Sequence, residues 1–233
     1  MIPLYQEKTN ITKHARKILR FLEAKKESIS PLLIVTHDYP DPDALASAFA
    51  LQYLAENFYG VASKIVYGGI VGRVENRAMV GILKMPVHKL KAADFKKYNR
   101  VALVDTQPVF ENNAFPKNRK ATLVIDQHPS VERPAAELSI VDTECGATST
   151  ILAQCLLLLR IEIPVRIATA LAYGILTDTM NLYRAKHAEV IDIYLDILSR
   201  SDLWVLAHIQ NPPRSRRFFM TLGQGIQNAA VRR

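Results

Sequence analysis

One imidazole and two carboxylates, His37, Asp41 and Asp43, form the pattern H-x-x-x-D-x-D. On an extended segment, residues two apart point the same way, so the carboxylates of Asp41 and Asp43 are expected to converge. Two nearby carboxylates disfavour each other's charge, which makes a divalent cation their natural partner. One imidazole with oxygen ligands suits Mn²⁺, Mg²⁺ or Fe²⁺ better than a structural zinc site. The plainer alternative is a solvated acidic loop with Asp43 capping the next helix.

The elements around this loop would hold it at the edge of a sheet. Leu32 to Val35 is an apolar, β-branched run after Pro31 and reads as a buried strand. Pro40 and Pro42 keep the loop extended. A helix pattern then runs from about Asp43 to Tyr59 and stops at Gly60. Three later apolar runs also end in acids: one at Asp105, one at Asp126-Gln127-His128, and one at Asp142. If these strands are parallel, His37, Asp41, Asp43, Asp105, Asp126 and His128 line one edge, where open α/β folds bind ligands.

The remaining segments fill out an α/β pattern. Ile11 to about Lys26 has helical apolar spacing, and Ala62 to Tyr67 reads as a strand. Gly68-Gly69, Gly72 and Arg73 make a flexible basic connection before a weak helix, Glu75 to Leu83. Gly146-Ala147-Thr148-Ser149-Thr150 opens a helix whose first amides and hydroxyls could hold a phosphate; an ordinary Ser/Thr-rich helix start is the alternative. Pro164 opens a helix through Leu176, followed by Thr177-Asp178-Thr179. A helix of about His187 to Ser199 comes next, then Pro212-Pro213 and a basic tail, Arg214 to Arg233.

The 233 residues, 49% of them hydrophobic, suffice for a full core. A formal net charge of +8 favours anionic partners. The two cysteines, Cys145 and Cys155, form no CxxC pair, which makes a cytoplasmic location the expectation. No signal-peptide core or run of eighteen apolar residues is present, so no membrane segment is expected.

The ordered motifs THDYPDPDALASA, VALVDTQP, VIDQHPS, GATSTIL and AYGILTDTMNL resemble the DHH phosphoesterase superfamily over about Leu32 to Leu182. That superfamily includes RecJ-like exonucleases, nanoRNA/pAp phosphatases, cyclic-dinucleotide phosphodiesterases and family II pyrophosphatases. Asp105-Thr106-Gln107-Pro108 and Pro129-Ser130 look most like the nanoRNase/pAp-phosphatase branch. The resemblance implies a mostly parallel five-stranded sheet flanked by helices, with a DHH domain over residues 1–185 and a helical C-terminal segment over 186–233.

It also implies roles for individual residues. His37, Asp41 and Asp105 match ligands of a first Mn²⁺ or Mg²⁺; Asp43, Asp105 and Asp178 match ligands of a second. His128 matches a histidine facing the substrate phosphate, near Gly146, Ala147 and Thr148, and Asp126 matches a supporting acid. Gln127 departs from the pattern, standing where the family has a histidine ligand of the second ion. A neutral amide is the weaker donor, so one tight ion and a weakened second are expected. No GGGH-like motif is present, so the DHH-associated C-terminal domain is expected to be absent from this chain. The function expected is metal-dependent hydrolysis of phosphoester bonds in small nucleotides or short oligonucleotides, with a homodimer as one expected state. Two alternatives stand beside it: a catalytically weakened module binding a nucleotide or partner, and a pyrophosphatase or polyphosphatase.

Overall fold

The structure is a computed structural model that describes residues 10–230. Residues 1–9 of the expected domain and 231–233 of the basic tail lie outside the described residues. In chain order the elements are α1 (Ile11–Ile29), β1 (Leu32–Val35), α2 (Pro42–Tyr59), β2 (Ser63–Tyr67), α3 (Val74–Ile82), β3 (Val87–Lys89), α4 (Asp94–Lys97) and β4 (Arg100–Val104). They continue with β5 (Ala121–Asp126), β6 (Ala136–Val141), α5 (Thr148–Leu158), α6 (Val165–Asp178), α7 (Ala188–Leu198), α8 (Leu203–Gln210) and α9 (Arg216–Gln227).

The strands form one sheet in the order β3-β2-β1-β4-β5-β6. Every pairing is parallel. Five strands were expected, and the sheet has a sixth. The extra strand, β3, carries a single apolar residue, Val87, beside the exposed His88 and Lys89. An edge strand this short and polar leaves no alternation to read.

Alternation along β1 divides the core. Leu32 and Ile34 join the large cluster under the helices, while Leu33 and Val35 join a smaller one with Val66, Leu103, Phe115 and Val124. Neighbouring residues of a strand face opposite sides of its sheet, so β1 is apolar throughout. The large cluster draws on α1, α2, α5, α6 and α7, and reaches α8 through Leu206 and Ile209. In the segment after residue 185, α7 and α8 therefore share the main core, whereas α9 buries no residue.

The order places a switch point between β1 and β4. The chain leaves β1 toward β2 on one side and later returns to pair β4 on the other. Loops leaving the carboxyl ends of such strands diverge and open a crevice. Two helices are pressed together beside it. A Cβ on Gly174 of α6 would lie 2.4 Å from Ser149 Oγ, 3.0 Å from Ala46 Cβ and 3.2 Å from the Pro42 carbonyl. Glycine there lets α6 approach α2 and the start of α5.

Candidate metal centre

Both strands flanking the switch point end in the expected ligands. After β1 the chain runs through Thr36 to His37, whose Nδ1 lies 2.8 Å from the Asp38 carbonyl oxygen. An Nδ1–H donating to that carbonyl leaves Nε2 as the lone-pair nitrogen, the tautomer a metal ligand needs. His37 Nε2 is 3.8 Å from Asp41 Oδ1 and 3.6 Å from Asp105 Oδ2. Ligand atoms of these three residues all lie within 4.8 Å of one another. One nitrogen and two carboxylate oxygens at this spacing fit a divalent ion such as Mn²⁺.

The backbone that presents them is held at special dihedral angles. Asp105 has φ +58, a left-handed conformation costly for most L residues but tolerated by Asp. Tyr39 has φ +57 and is fixed by its amide bonding to the Gly68 carbonyl. A Cβ on Gly68 would fall 1.7 Å from Asp38 Oδ1, so any side chain there would have to push Asp38 aside.

Asp41 and Asp43 do not share the extended geometry expected of them. The extended segment ends one residue too early. Asp41 is the extended N-cap of α2, its Oδ1 accepting from the Ala44 amide at 2.9 Å, and Pro42 is already helical. Asp43 therefore sits in the first turn of α2 and turns inward. Its Oδ2 accepts from the Thr148 amide and its Oδ1 from the Ser149 amide, both at 2.7 Å, and Ser149 Oγ donates to it as well. Asp43 thus caps α5, a helix remote in sequence, rather than its own. Of the amides at this helix start, those of Thr148 and Ser149 are spent on this carboxylate and that of Thr150 on the Ala147 carbonyl. Gly146, at φ +75, shapes the turn before them.

A second cluster adjoins the first. His128 Nδ1 lies 2.8 Å from Asp126 Oδ1 and 3.7 Å from Asp105 Oδ1. Gln107 donates from Nε2 to Asp126 Oδ2 at 2.6 Å and to the His128 carbonyl at 2.9 Å, tying the ends of β4 and β5 together. Gln127 donates from Nε2 to Asp178 Oδ2 at 2.6 Å. Asp142, the third strand-end acid, pairs instead with His14 at 3.4 Å and stays outside these clusters.

His37, Asp41 and Asp178 face a cleft of about 520 Å³ shared with Tyr39, Arg73 and Asn76. The sequence signalled Arg73 only as part of a basic connection, Gln107 only as part of a family motif and Ser149 only as part of a helix start, and gave no signal for Asn76.

The electrostatics follow from crowding acids into a buried space. Burial opposes charge on His37, but the carboxylates of Asp105 and Asp41 outweigh it and hold the imidazolium up to about 11. The bond to Asp126, against burial and with help from Asp105, raises His128 to about 9. Burial, then Asp105 and Asp41, push Asp178 up to about 7. Burial and the neighbouring acids Asp105, Asp178 and Asp41 push Asp43 well above the usual carboxylate range.

These shifts fix the sign of a pH effect. His37, His128 and Asp178 all bind protons more tightly folded than unfolded, so stability falls as pH rises. For His128 the contribution is whole below pH 6.5 and lost as pH climbs through about 9. Metal-stripped protein is expected to melt at progressively lower temperature from pH 6 to 9. Saturating Mn²⁺ should flatten that slope, because the ion replaces the protons. Melting curves at several pH values, with and without Mn²⁺, check this; a metal-free midpoint that rises with pH would contradict it.

The structure is thus a parallel α/β domain with acids and histidines gathered at the switch point of its sheet. The family described as DHH family, N-terminal domain, matches residues 31–175, and the chain belongs to it. It is 34% identical over 228 residues to the uncharacterized protein MJ1633 of Methanocaldococcus jannaschii, covering 98% of this chain and 47% of that protein. A probable manganese-dependent inorganic pyrophosphatase of Streptococcus pyogenes is 25% identical over 155 residues, covering 66% of this chain and 50% of that one. This chain thus spans about half the length of these relatives. An exopolyphosphatase-related protein from Bacteroides fragilis shares the fold at TM-score 0.75 and 16% identity, over 94% of this chain and 66% of that one. Among the described residues, no helix is long and apolar enough to cross a membrane.

Proposed function

We propose that this domain hydrolyses phosphoester bonds of small nucleotides or short oligonucleotides in a divalent-metal-dependent reaction. The observation that carries the reading is the convergence of His37, Asp41 and Asp105 beside an open cleft. An ion held by these three would polarise a phosphate oxygen and acidify a water.

The other groups suit an anionic substrate. His128, its Nδ1 anchored on Asp126, keeps a charged ring beside the cluster and can donate from Nε2 to a phosphate oxygen. The exposed Arg73 on the cleft wall adds attraction for a second phosphate. Asp178, also on the wall, is the group best able to exchange a proton near neutral pH. Tyr39, 65% exposed and facing the same cleft, offers an aromatic face for a base. That last feature favours a nucleotide over a substrate made only of phosphate.

The second reading is inorganic pyrophosphate, supported by the relatives described as probable manganese-dependent pyrophosphatases. Phosphate release from 3′-phosphoadenosine 5′-phosphate, a dinucleotide and pyrophosphate separates the two. The nucleotides are expected to turn over faster. Tyr39→Ala should then raise KM for them about tenfold, as losing one base–aromatic stack of ~1–3 kcal/mol predicts, and leave pyrophosphate unaffected. Faster pyrophosphate turnover, indifferent to Tyr39, would favour the second reading.

A further inference from the structure

Deepening the metal-dependent reading on which it rests, we infer that this site holds one ion, with the Gln127 amide standing in for a second cation as the partner of Asp178. Three observations carry it. The first is the 2.6 Å bond from Gln127 Nε2 to Asp178 Oδ2. With Asp178 ionised, the opposite amide orientation would set two oxygens face to face, so the nitrogen is the donor to the carboxylate.

The second is Asp43. Its two oxygens serve the Thr148 and Ser149 amides and the Ser149 hydroxyl, and the residue is fully buried. An ion drawn to Asp43 would compete with the buried bonds that cap the start of α5, and Oδ1 already accepts both the Ser149 amide and its hydroxyl.

The third is the grouping of ligand atoms. Among the described residues they converge in two sets, His37/Asp41/Asp105 and Asp105/Asp126/His128, and neither contains Asp43 or Asp178. The second set is closed on itself. His128 Nδ1 is bonded to Asp126 Oδ1, which also accepts the backbone N–H of Gln127, and Asp126 Oδ2 accepts from Gln107. An ion there would have to break these bonds. The first set has no such internal lock, because its closest nitrogen–oxygen approach is 3.6 Å.

A side-chain amide can compensate part of a carboxylate's charge, but it neither acidifies water nor binds a phosphate oxygen as a Lewis acid. Asp178 is thereby kept in place without becoming a ligand. Histidine at position 127 would remove the donor and supply a nitrogen ligand, freeing Asp178 to join it.

The test counts ions. The full chain is stripped with chelator, loaded with Mn²⁺, freed of excess and assayed for metal per chain, with electron paramagnetic resonance on the same samples. One ion per chain and an uncoupled manganese spectrum are expected for the wild type. Gln127→His is expected to hold two, with spin coupling between them. Two ions in the wild type would overturn the inference while leaving the metal-dependent reading intact. No bound ion would overturn that reading itself. One ion in a folded Gln127→His protein would overturn the role given to the amide. The wild-type count decides the stoichiometry even if the variant fails to fold.

Discussion

Asp105→Asn is expected to abolish Mn²⁺ binding and hydrolysis while leaving the protein folded. Asp105 lies between both ligand sets, 3.6 Å from His37 through Oδ2 and 3.7 Å from His128 through Oδ1. Asparagine keeps the shape and can still accept the Thr148 hydroxyl bond, made at 2.8 Å in the native protein. It also tolerates the left-handed backbone at φ +58, where alanine adds strain. What it loses is the charge. Removing a residue that merely supports a ligand costs ~10–100-fold in metal affinity, so removing the central carboxylate should exceed ~100-fold. In metal-free protein the same change relieves repulsion among Asp41, Asp105 and Asp126, so the melting temperature should hold or rise. Calorimetric titration with Mn²⁺ beside a melting curve reads both effects. Unchanged Mn²⁺ binding would remove Asp105 from the site.

Asp43→Ala is expected to give the largest loss of stability. The carboxylate accepts two backbone amides and a hydroxyl from α5, all buried. Each of the two capped amides left buried without an acceptor costs ~1–3 kcal/mol, so about 3 kcal/mol should go. That is a large share of the ~5–15 kcal/mol available to a folded domain. The shift in urea midpoint measures it, and Asp43→Asn, which keeps one acceptor, should fall between. A loss below ~1 kcal/mol would show that the α5 start finds other partners. It would also reopen Asp43 as a metal ligand.

Asp43 marks where the sequence stopped being informative. The spacing of Asp41 and Asp43 was visible, but their shared direction assumed an extended chain. Pro42 begins α2 between them, and the partner of Asp43 lies 105 residues away. Local pattern carries no information about such a contact. By contrast, β1, β4 and β5 were legible because strands buried on both faces read as unbroken apolar runs. His37, Asp105, Asp126 and His128 follow or end those runs, so their common edge could be inferred from parallel pairing. Gln107, Arg73 and Asn76 depend on how loops fold back, which composition does not encode. The sixth strand was lost for the opposite reason from Asp43: β3 is too short and too polar to show any period.

In the proposed function, a metal held at His37, Asp41 and Asp105 drives phosphoester hydrolysis. The most direct measurement is turnover of a nitrophenyl phosphodiester by chelator-stripped protein as Mn²⁺ is restored. No turnover is predicted without metal, saturable recovery with it, and no recovery in Asp105→Asn. Turnover that is equal with and without metal, or a full recovery in Asp105→Asn, would contradict the account.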